Sequence, residues 1–75
     1  MKTKDFYFAA VLMCKGAILE KIIRDDSKIV EFQFDIEEEE FDEIQLEWIQ
    51  GSLMINAFRF KENIQKVKSL IYAKN

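Results

Sequence analysis

The sequence predicts a single small α+β domain, and three observations carry that prediction. An apolar run near the N-terminus, Phe6 to Cys14, has helical length and is followed by a glycine. A later stretch alternates apolar and polar residues with the period of a strand. Two further stretches repeat apolar residues every three or four positions, the period of amphipathic helices. Seventy-five residues leave room for one core, and a chain of this size buries roughly 60% of its unfolded surface, so help from a partner subunit matters. Without proline, low-complexity linker or internal repeat, residues 1–75 read as one domain.

Taken in order, Thr3 is placed to cap a first helix from Lys4 to Lys15, with Gly16 where a helix end tolerates a left-handed residue. Phe6, Ala9, Ala10 and Met13, with Phe8, Val11 and Leu12 one face over, make it apolar nearly all round. Such a helix is central to a core or to an oligomer interface. Two strand-like runs, Ile18 to Arg24 and Lys28 to Asp35, joined by Asp25, Asp26 and Ser27, read as a β-hairpin. Val30, Phe32 and Phe34 share one face of the second run and Glu31, Gln33 and Asp35 the other, so the sheet has one wet side. An acidic helix runs from Asp35 to Gln50, with Phe41, Ile44, Trp48 and the flanking Ile49 at three- and four-residue spacing and Gly51 as its stop. Ser52 to Ile55 reads as a short extended segment. Asn56 then caps a C-terminal helix whose Ala57, Phe60, Ile64, Val67 and Ile71 form a packed seam. The expected order is αββα(β)α.

Composition bounds the function. The apolar share of 49%, with seven Phe, is that of a folding chain. Cys14, the lone cysteine, has no internal disulfide partner and sits among apolar neighbours, which suits packing and a cytoplasmic location. Lys2 and Lys4 before the apolar run resemble a signal peptide only superficially, because Asp5 interrupts and no cleavage site follows. No stretch approaches the ~20 apolar residues of a membrane span. The net charge of −3 argues mildly against binding nucleic acid or anionic lipid by overall attraction. Its distribution is uneven: eight acidic and no basic residues lie between Asp35 and Glu47, while Ala57 to Asn75 carries five basic residues against Glu62 alone.

Enzyme chemistry finds little material. With no histidine, the usual general base and the commonest transition-metal ligand are missing, and Ser-His and Cys-His nucleophilic schemes fall away. No catalytic residue, metal site or cofactor is assigned, and the protein is read as a non-enzyme. Glu37, Glu38, Glu39, Glu40, Asp42 and Glu43 lack the alternating ligands and central glycine of a calcium loop, so a solvated helix face is the preferred reading.

The chain as a whole resembles a family of short, functionally uncharacterised proteins from phages, prophages and bacteria. The shared frame stands here as Asp5, Phe6, Tyr7, Phe8, Ala9, Ala10; Lys15, Gly16; Phe32, Gln33, Phe34; Ile55, Asn56, Ala57 with Phe60; and Lys68, Ser69, Leu70, Ile71, Tyr72. The resemblance covers almost the entire chain and implies a mobile-element origin. It brings no catalytic residues with it.

Three binding surfaces remain. If the hairpin covers only part of the first helix, some of Phe6, Tyr7, Phe8, Leu12, Phe58 and Tyr72 stay uncovered in a monomer and form a self-complementary interface; the alternative is that three helices and a sheet bury them all. The acidic residues Glu37 to Glu43 are a candidate face for a host protein, by electrostatic complementarity, against a plain solubilising role. Arg59, Lys61 and Lys66 are candidate contacts for a small anion or nucleotide at an oligomer crevice, against simple helix capping and a solvated face. Nucleic-acid binding through the last helix, with Lys61 and Lys68 on one face and Arg59 and Lys66 on another, makes a weak footprint. The leading expectation is a small phage-type accessory protein that binds proteins, itself first, as a homo-oligomer, and modulates a host enzyme or defence system.

Overall fold

The computed structural model describes residues 1–25 and 29–72. The elements run β1 (Lys2–Thr3), α1 (Phe6–Cys14), β2 (Ile18–Arg24), β3 (Val30–Asp35), α2 (Glu38–Gln50) and α3 (Ala57–Tyr72). The three strands form an antiparallel sheet in the order β1-β3-β2. The α+β class is as expected, with a short first strand added. Asp26, Ser27 and Lys28, assigned above to the hairpin, lie outside the described residues.

β1 has no periodicity to betray it. It exists because the Met1 carbonyl accepts from Phe34 N at 2.8 Å and the Met1 amino group donates to the Phe34 carbonyl at 3.1 Å. With Thr3 in the sheet, the cap of α1 passes to Asp5, whose side chain accepts from Tyr7 N at 2.9 Å and Phe8 N at 3.1 Å. Thr3 Oγ1 accepts from Asp5 N at 3.1 Å instead, which tightens the turn into the helix. The expected Thr3 cap and Lys4 start are corrected accordingly.

Both ends marked by glycine close in the same way. Gly16 (φ 90°) and Gly51 (φ 76°) are left-handed. Ala17 N reaches the Leu12 carbonyl at 3.0 Å, and Ser52 N reaches the Glu47 carbonyl at 3.0 Å. These are the six-to-one bonds that satisfy the last carbonyls of a helix. A Cβ added at either glycine meets nothing within 4 Å, so the cost of Gly16→Ala is backbone strain alone. We expect a loss of about 1 kcal/mol in urea unfolding, and Gly16→Asn should lose less, because asparagine tolerates this region better.

The alternation of β3 survives in full. Phe32 and Phe34 are buried at 1% exposure each, and Ile36, the next position inward, packs against the core. That continuation holds the chain in the sheet through Asp35, which pairs with Ile18. The acidic helix therefore starts at Glu38 rather than Asp35, with Glu38, Glu39 and Glu40 in its first turn, where the helix dipole favours anions. Ser52 to Ile55 takes no strand pairing; Leu53 and Ile55 turn into the core instead.

In β2 the register with β3 shifts between Leu19 and Lys21, which leaves Glu20 as a bulge residue. Gln33 Nε2 donates to Glu20 Oε1 at 3.0 Å, tying the bulge to the central strand on the face away from the helices. A bulge with a charge on an edge strand discourages unwanted strand pairing.

α1 is the centre of the molecule. Five consecutive residues, Phe8 to Leu12, are buried, because α3, α2 and the sheet surround the helix on different sides. Phe8 stacks edge-on against Phe41 of α2, ring centroids 5.5 Å apart, and its ring also lies 6.3 Å from that of Trp48. Val67 of α3, fully buried, completes the core.

Candidate functional site

No buried residue among those described is polar or charged, and no buried side-chain nitrogen or oxygen lacks a hydrogen-bond partner. The chemistry this protein offers is therefore at its surface. Among the described residues no group of three or more His, Cys, Asp or Glu is placed to hold a metal ion, and no helix is long and apolar enough to cross a membrane.

The candidate interface residues divide. Phe8 and Leu12 are core residues of one chain, at 1% and 0% exposure, so the expectation that they stay uncovered is corrected: α2, α3 and the sheet close around α1 without a second copy. Phe6 is half-buried and edge-on to Tyr7 at 5.3 Å. Tyr7, Phe58 and Tyr72 remain exposed. Ile49, expected beside the Phe41, Ile44, Trp48 stripe, is 74% exposed and is corrected to the outside, and sequence reasoning missed further exposed apolar residues, among them Leu46 and Met54. Leu46 was detectable, because it sits off the Phe41, Ile44, Trp48 stripe of α2.

The acidic residues Glu37 to Glu40, Asp42 and Glu43 are all exposed. At 3.6 residues per turn they do not make one flat face. They fan around the sides of α2 that Phe41 and Ile44 leave free.

Of the candidate anion contacts, Arg59 and Lys66 come together and Lys61 does not. Arg59 and Lys66 line a groove of about 460 Å³ between the end of α1 and α3, with Cys14 and Met13 from α1 and Asn63 and Ser69 from α3. Lys61, two residues past Arg59, points off the far side of the helix. Asn63 Nδ2 donates to Cys14 Sγ at 3.3 Å, which ties the two helices at the groove floor. Glu62 on the rim places a carboxylate beside the two cations. Cys14 was read as packing, and its contact with Asn63, 49 residues away, had no signal in the local sequence.

A second groove, of about 390 Å³, lies along β2 and is lined by Met13, Leu19, Ile22 and Leu70 among others. Arg24 Nη2 bonds the Leu70 carbonyl at 2.9 Å. This places a cation on the last turn of α3, where the helix dipole favours it.

No curated protein and no solved structure matches this chain. A profile for a domain of unknown function, DUF5659, matches residues 1–73, nearly the whole fold described above from β1 through α3. The chain belongs to the DUF5659 family.

Proposed function

We propose that this is a small accessory protein of phage or mobile-element type that works by binding proteins, itself first, as a homo-oligomer in the cytoplasm. Its further partner on this reading is a host protein, an enzyme or a defence component, steered by the acidic residues of α2. The observation that carries the reading is the outer surface of the helices. Tyr7, Ile49, Met54, Phe58 and Tyr72 are 56–84% exposed, although the core has closed without them. Covering a large apolar side chain is worth about 1.5–3 kcal/mol, so burying several of these against a second copy favours association. The resemblance drawn from the sequence supports the mobile-element origin.

A second reading has one specific observation behind it. Arg59 and Lys66, with Asn63 between them, line one groove, an arrangement suited to a small anion such as a phosphate group.

The test is the solution mass by light scattering, with absorbance recorded across the same peak. We expect two or more copies of the 8.9 kDa chain and no absorbing passenger. Phe58→Glu and Tyr72→Glu should each reduce the mass toward the monomer while leaving the circular dichroism spectrum unchanged, since both side chains lie outside the core. Unchanged mass in both variants removes these residues from any interface, and a nucleotide or nucleic acid in the peak moves the reading to ligand binding.

A further inference from the structure

The exposed sides of α2 and α3 carry matching stripes. On α2, Glu39, Asp42, Leu46 and Ile49 are spaced by three, four and three residues; on α3, Phe58, Lys61, Gln65 and Lys68 have the same spacing, followed by Tyr72. Every one of these residues is exposed. Residues at this spacing share one face of a helix, and the two stripes lie away from the core-facing sets, Phe41, Ile44 and Trp48 on α2 and Phe60, Val67 and Ile71 on α3. Each helix thus has a second, exposed seam that its own core does not cover, with Gln65 also bordering the groove beside Met13 and Cys14.

Set antiparallel, the seams match layer by layer. Phe58 meets Ile49, the stem of Lys61 covers Leu46, Gln65 meets Asp42, and Lys68 meets Glu39. Apolar groups fall together at one end and opposite charges at the other. The parallel arrangement pairs Lys61 with Asp42 but sets Phe58 on Glu39 and Lys68 on Ile49, so that both ends of the seam are mismatched.

We infer that α3 of one copy packs antiparallel on α2 of a second copy through these two stripes. The inference rests on the self-association proposed above and names the surfaces that carry it. Complementary charge along a seam of three- and four-residue spacing is what sets partner and orientation when helices pair.

The test uses single cysteines in a Cys14→Ser background, checked for folding by circular dichroism. Ile49 and Phe58 are 74% and 63% exposed, so Ile49→Cys and Phe58→Cys should be tolerated. With a short thiol-to-thiol cross-linker, a mixture of the two variants should give a covalent species of doubled mass, and neither variant alone should. Lys61→Glu with Lys68→Glu should leave a monomer at concentrations where the unaltered protein is associated. If the protein associates but each cysteine variant cross-links to itself, or the mixture does not, the α2-on-α3 seam is overturned while self-association stands. If the unaltered protein is a monomer at every concentration, both fall, and a co-purifying nucleic acid would then assign Lys61 and Lys68 to phosphates.

Discussion

Replacing Phe8 with alanine is expected to unfold most of the protein at 25 °C. Phe8 is 1% exposed and joins α1 to α2 through its ring contacts with Phe41 and Trp48. Deleting a buried phenylalanine costs about 3–5 kcal/mol, from lost transfer energy and the cavity left behind. A core of this size rarely supplies more than about 3–5 kcal/mol in total. The loss is therefore comparable with the whole stability. Trp48, the single tryptophan, is half-buried against Phe8, so its fluorescence in a urea titration reports directly on this site. A measured loss under about 1 kcal/mol would show that the aromatic cluster repacks, and that α1 is held chiefly by α3 and the sheet.

The second large effect is expected at Val67→Asp. Val67 is the one described residue of α3 that is fully buried, on the side of the helix that meets α1. A carboxylate there has no cation in the core to pair with, since no buried residue among those described is charged. Burying an unpaired charge is among the few single changes that remove a fold outright. Loss of the cooperative thermal transition at neutral pH is the expected result. Phe58→Glu, on the same helix but outward, should keep a cooperative transition, lowered only by the association that Phe58 supports. The contrast tests the assignment of faces: equal damage from both would mean that Phe58 belongs to the core.

How much of this was legible beforehand differs by element. For α3, the three- and four-residue spacing of Phe60, Ile64, Val67 and Ile71 picked the inward side, although Ala57, the expected first member of that seam, is exposed; Asn56 accepts from Arg59 N at 3.0 Å as its cap. The alternation through Phe32 and Phe34 likewise told which face of β3 turns inward. The division of the basic residues into an Arg59, Lys66 pair and a Lys61, Lys68 pair was also readable, because seven residues return a helix to nearly the same side. In the candidate groove only Arg59 and Lys66 were anticipated. Asn63 carries no local signal of its contact, and Cys14 arrives from another helix.

By itself the sequence determined the three helices and the β2 and β3 strands, and for β3 and α3 the side that turns inward, because periodicity and capping act within a few residues of one another. The tertiary structure alone decided the rest. It recruited Met1 to Thr3 into the sheet through bonds to Phe34, moved the cap of α1 to Asp5, and enclosed Phe8 and Leu12 within one chain. It also left Ile49, Phe58 and Tyr72 outside. A helix that is apolar on every side does not say how many neighbours will cover it, since that number is set by how the other elements pack. The bonds and contacts that fix it join residues distant in the chain.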